Sequence, residues 1–167
     1  MPKRKIFDED CSGHFVSFAC YKRRKLLFFE KTKYMVLEYL RSEATKHNAK
    51  VIGFVIMPDH VHALVWFEGP GHLSSFMRGW KRNSSYQIKE FLKDTNYAKE
   101  LGEREPVWQA GYYDFNVTST KKMNEKLDYI HNNPVVEKLV KDPCDWEFSS
   151  AAWYEKGKSV GVKIGFE

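Results

Sequence analysis

His60 and His62 stand one residue apart in IMPDHVHALVWF, and Tyr129 lies far downstream in LDYIHNNPV. Side chains alternate along a strand, so both imidazoles emerge on one face if this run is extended. Two neutral imidazoles can donate to a divalent cation, and a phenol brought alongside can supply an oxygen nucleophile. A third ligand has to come from elsewhere in the chain, and Asn133, Asp59, Glu68 and His131 are the candidates. Asp59 directly precedes His60, so it would point to the opposite side of a regular strand unless the turn redirects it. The bland alternative is one hydrogen-bonded core histidine with an exposed neighbour. Tyr112, Tyr113 and Tyr86 rival Tyr129 by residue type alone.

The elements that would position these groups are legible from periodicity. HFVSFACY (14–21) has strand composition, and KTKYMVLEYLRSEATKH (31–47) places Tyr34, Val36, Leu37, Leu40 and Ala44 near one helical face. AKVIGFVIM (49–57) is an almost continuous apolar strand, which predicts a central place in its sheet. Pro58 and Asp59 mark a tight turn into the histidine strand, 60–68, and GPG ends that hairpin. A second helix is predicted over 73–92 from Leu73, Phe76, Met77, Trp80, Ser84, Ile88, Phe91 and Leu92. YYDFNVT (112–118) reads as a strand. Ser119 or Thr120 then caps a helix over about 120–132, with Met123, Leu127 and Ile130 facing the core. Tyr129 and Asn133 share a different flank, and Pro134 predicts that the helix stops at Asn133, where the amide could be a cap instead of a ligand.

This order predicts an α+β, ferredoxin-like sandwich with a central antiparallel sheet and an added C-terminal helix bearing the tyrosine. The first two helices are expected on one sheet face, leaving the histidine side to the third. Residues 1–13 read as a polar arm, 14–156 as the single domain, and 157–167 as a flexible tail.

Composition narrows the function classes. The 167 residues carry a net charge of +5, and aromatic residues make up 16%, compatible with a polyanion whose bases stack on rings. Basic clusters include Arg4 in the arm, Arg23 and Arg24, and then Arg78, Lys81 and Arg82; these six are the candidate phosphate contacts. Cys11, Cys20 and Cys144 are odd in number and lack any C-x-x-C spacing, so neither a disulfide framework nor a cysteine zinc knuckle is suggested and a reducing compartment is expected. No run approaches a membrane span and the N-terminus lacks an apolar leader, so a cytoplasmic protein is expected.

MPDHVHALV together with YIHNNPV resembles the single-tyrosine HUH transposases, closest to their REP-associated tyrosine transposase branch. PVWQAGYYDFNVTS and NNPVVEKLVKDPCDWEFSSAAW extend the resemblance over nearly the whole chain. It implies Tyr129 as the nucleophile, with His60, His62 and Asn133 holding Mg²⁺ or Mn²⁺. The implied reaction is cleavage of single-stranded DNA near imperfect palindromic hairpins, through a 5′-phosphotyrosine and a free 3′-hydroxyl that another strand can attack in reverse. The active unit would be a monomer or a homodimer, with the tyrosine donated within one chain or across a pair. After GYYD the family pattern carries a histidine and then an arginine, where this chain has Phe115 and Thr118. A hairpin-binding protein with little catalysis and a hydrolytic metal-dependent nuclease are the competing expectations.

Overall fold

In a computed structural model, residues 12–98 and 104–165 are described. The chain runs β1 (Ser12–Ala19), α1 (Glu30–Lys46), β2 (Lys50–Ile56), β3 (His60–Phe67), α2 (Leu73–Leu92), β4 (Tyr113–Asn116), α3 (Thr120–Val136) and α4 (Ala151–Lys156), with short 3₁₀ turns between some of them. The four strands form one sheet in the order β2-β3-β1-β4, every pair antiparallel. This is the ferredoxin-like arrangement that the order of elements predicts, with α3 added.

Alternation along β3 divides the core into two. Val61, Ala63, Val65 and Phe67 face one layer with Val36, Leu37 and Leu40 of α1 and Phe76, Met77 and Trp80 of α2. Leu64 and Trp66 face the other, with Phe15 and with Met123, Leu127 and Ile130 of α3. Two helices therefore cover one sheet face, and α3 covers the face to which His60 and His62 belong. Tyr34, expected on the apolar side of α1, is exposed and touches Phe148 edge-on.

α3 approaches the sheet closely at Gly53, where a Cβ would lie 2.5 Å from Leu127 Cδ2 and 3.2 Å from Ser150 Oγ. Its N-terminus is capped by the Ser119 hydroxyl, which accepts from Lys122 N–H. The expected stop at Asn133 is corrected: Pro134 sits inside the helix, and α3 continues to Val136. Proline removes a single backbone donor there, and the last carbonyls find partners beyond it. Lys138 adopts φ 61°, its N–H donates to Val135 O, and Leu139 N–H donates to Pro134 O, a left-handed helix ending.

The outer edge of β2 is covered. Ile56 N–H donates to Phe148 O, Ser150 N–H to Phe54 O, and Gly165 N–H to Val51 O. Val160 and Ile164 are buried in the α1/α2 layer. The loosely attached end expected from residue 157 is thus replaced, over 157–165, by a packed strap that closes a sheet edge. Of the expected arm, residues 12 and 13 belong to β1, and residues 1–11 lie outside the described part.

Candidate active site

The Pro58–Asp59 corner is held from inside and outside. Met57 N–H donates to His60 O across the turn, Cys20 N–H to Asp59 O, and Leu27 N–H to Pro58 O. The turn redirects Asp59, whose Oδ1 lies 2.7 Å from His60 Nδ1. With Asp59 ionised, that contact fixes the proton on Nδ1 and leaves the Nε2 lone pair for a ligand.

His60 and His62 are both buried, with ring centroids 4.7 Å apart. Burial first, and then the charges of His60, Arg23 and Lys126, push the His62 pKa down to about 3, so this imidazole is neutral at pH 7. Phe15, on β1, stacks on His62 at 5.5 Å.

On α3, Lys126, Tyr129 and Asn133 are spaced three and four residues apart and form a stripe beside the buried Met123, Leu127, Ile130 and Pro134. The Tyr129 ring lies 5.2 Å from His62 and 5.9 Å from Phe15, and it is 54% exposed. A core tyrosine would be covered; this one is accessible beside the histidines. Asn133 is buried, and its Oδ1 has no hydrogen-bond partner among the described residues. His62 Nδ1 is likewise buried and unpaired there. Such leftover electron-pair donors are costly unless something binds them, so the residues present fit a cation.

The other candidate ligands lie elsewhere. Among the described residues no group of three His, Cys, Asp or Glu could hold a metal ion, so a third protein ligand beside the two histidines would be of another type, as the Asn133 amide is. His131 Nε2 is engaged with Ser150 Oγ at 2.7 Å, and its pKa is pushed down to about 4, chiefly by burial. Glu68 is exposed just past the far end of β3. Asp59 reaches His60 instead of taking a place as third ligand.

The basic candidates divide similarly. Lys22 and Arg23 both adopt φ 56°, a left-handed conformation costing about 1–2 kcal/mol per non-glycine residue. In that turn Lys22 and Arg24 pair with Glu105, while Arg23 Nε lies 3.4 Å from Asp59 Oδ2. Arg23 therefore stands next to the histidines. Lys81 donates to the carbonyls of Gln109 and Gly111, and burial lowers its pKa. Arg78 and Arg82 are exposed on α2, which covers the opposite sheet face. Arg4 lies outside the described residues.

Lys126 was missed by reading the sequence, although its three-residue offset from Tyr129 places it on the same stripe. Tyr86 is exposed on α2, across the sheet; Tyr113 touches Phe15 but is 6.3 Å away, and only Tyr129 of the rivals meets a histidine ring among the contacts described.

Comparisons with known proteins bear on the family and the fold. Residues 8–133 match the family model described as "Transposase IS200 like". A Haemophilus influenzae protein bearing the name of a REP-associated tyrosine transposase is 22% identical over 129 residues, 72% of this chain and 73% of that protein. Among solved structures, a REP-associated tyrosine transposase bound to a REP hairpin superposes with a TM-score of 0.68 at 21% identity, covering 93% of this chain and 86% of the other. A Deinococcus radiodurans R1 protein crystallised under a transposase designation gives a TM-score of 0.53 at 21% identity, covering 73% and 90%. No helix among the described residues is long and apolar enough to cross a membrane. The chain belongs to the IS200-like transposases, the single-tyrosine HUH family that includes the REP-associated branch.

Proposed function

We propose that this protein is a single-stranded DNA endonuclease and strand transferase in which Tyr129 is the nucleophile and His60, His62 and Asn133 hold a divalent cation. The observation that carries the reading is an exposed phenol 5.2 Å from a buried, neutral imidazole. A bound Mg²⁺ or Mn²⁺ supplies Lewis-acid stabilisation of negative charge on a phosphate oxygen. Imidazole and amide donors are less hard than an all-oxygen set, which suits Mn²⁺ at least as well as Mg²⁺.

The chain's own groups account for the rest. Asp59 orients His60, Arg23 steadies Asp59, and Phe15 packs against both the His62 and Tyr129 rings. The Tyr129 oxygen attacks phosphorus, its proton leaves to solvent, and the bond to the 3′ oxygen breaks as that oxygen takes up a proton. One phosphodiester is exchanged for another, so a 3′-hydroxyl can reverse the step without ATP. The structural neighbour bound to a REP hairpin supports single-stranded DNA carrying imperfect palindromic hairpins as the partner.

The test is a denaturing gel of hairpin-bearing single-stranded DNA incubated with protein and Mn²⁺. The expected result is a covalent adduct lost in Tyr129→Phe and His60→Ala. Cleavage without an adduct in Tyr129→Phe would identify hydrolysis by water, and binding without cleavage a hairpin-binding protein.

A further inference from the structure

We infer that Lys126 is a phosphate-binding residue of this site: its ammonium contacts the scissile phosphate that Tyr129 attacks and stays with it as the phosphotyrosine. The inference rests on the proposed phosphotyrosine chemistry. It begins with an unusual seat for a lysine. Lys126 Nζ lies 4.7 Å from the centroid of Phe15 and 4.6 Å from that of Phe115. These two rings are direct neighbours across the sheet, Phe15 in β1 pairing with Phe115 in β4. The ammonium is held over two aromatic faces, each of which attracts a cation.

Phe15 is also the ring against which His62 stacks and Tyr129 packs edge-on. Ammonium, phenol and imidazole therefore gather around one side chain. The neighbouring Lys122 pairs with Glu125, whereas Lys126 makes no ion pair among the described residues. Its positive charge is felt at His62, where it opposes protonation. Aromatic faces attract the cation but accept no full hydrogen bond, so the ammonium keeps N–H donors for an anion arriving at Tyr129.

The helix adds a second argument. Lys126 lies three residues before Tyr129, so the two side chains are neighbours on one helical flank. A phosphate joined to the Tyr129 oxygen acquires this cation as a local partner, and any shift of α3 carries both together. In the attack, negative charge grows on the non-bridging phosphate oxygens as the tyrosine–phosphorus bond forms and the bond to the 3′ oxygen breaks. A pre-placed ammonium stabilises that charge without reorganising at the moment of reaction.

The experiment measures single-turnover adduct formation by the full chain on hairpin-bearing single-stranded DNA, beside Mn²⁺ titration and thermal melting. Lys126→Met is expected to slow the adduct step about 100-fold, with the Mn²⁺ midpoint and melting temperature unchanged. Lys126→Arg is expected to recover most of the rate, and Phe115→Leu, which keeps the charge but removes one ring, to fall between. A Lys126→Met rate within threefold of wild type overturns the inference while the wild-type adduct leaves the proposed function standing. A slow Lys126→Met that arginine does not rescue, or whose Mn²⁺ midpoint has moved, also overturns it by showing an effect through the histidines or the fold. Absence of any adduct in wild type is the separate failure, that of the underlying reading.

Discussion

At the scale of single residues, the site depends on how each donor is held. Asp59 gives His60 the tautomer that the proposed metal site requires, and it does so from a turn tied down by Cys20 and Leu27. Asp59→Asn keeps the shape but weakens that constraint, and calorimetric titration with Mn²⁺ should show affinity lower by about 10–100-fold. Unchanged affinity would mean that His60 is oriented by packing alone. Tyr129 and the histidines were visible in the sequence because one spacing rule and one motif pair reveal them. Lys126 was not, because its meaning depends on Phe15 and Phe115 becoming neighbours across 100 residues of chain. Phe115, a departure from the family pattern, becomes intelligible as that lysine's seat.

At the scale of elements, α3 sets the separation of phenol and imidazole. Gly53 admits Leu127 against β2, and a branched side chain there has no space. Gly53→Val is expected to displace α3 and to lower adduct yield at saturating DNA at least tenfold, while hairpin affinity changes little; equal loss of both would show global damage instead. Leu127→Ala should cost about 2–5 kcal/mol in chemical denaturation, the usual range for a buried leucine. Periodicity, with strand composition, located all seven elements from β1 to α3 to within a few residues. It erred at Pro134, because proline's local penalty is offset by a buried flank and a well-formed helix end that single-residue propensity does not contain. It erred again after Gly157, where Val160 and Ile164 are too sparse to form a pattern yet fill the edge beside β2.

At the scale of the whole molecule, neutral imidazoles are built into the fold and tie stability to pH. The His62 and His131 pKa values fall from 6.5 to about 3 and about 4 on folding, chiefly through burial. Between those values and 6.5 the unfolded chain binds more protons than the folded one, so stability rises with pH there and is lost on acidification. In metal-free buffer the denaturant midpoint should therefore decline from pH 6.5 to pH 5, and His131→Gln should flatten the slope. A level profile for wild type would contradict the assignment of buried neutral histidines. Divalent cation, added at neutral pH, should raise the melting temperature through linkage to the native site.

The central claim is that the Tyr129 phenol is the group that takes the DNA phosphate. Protein incubated with hairpin-bearing single-stranded DNA and Mn²⁺, trimmed with nuclease and digested with protease, can be mapped by mass spectrometry. The account predicts a nucleotide phosphate joined to the peptide at Tyr129 and to no other tyrosine. A phosphate on Tyr112, Tyr113 or Tyr86, or efficient cleavage that leaves every tyrosine unmodified, would contradict it.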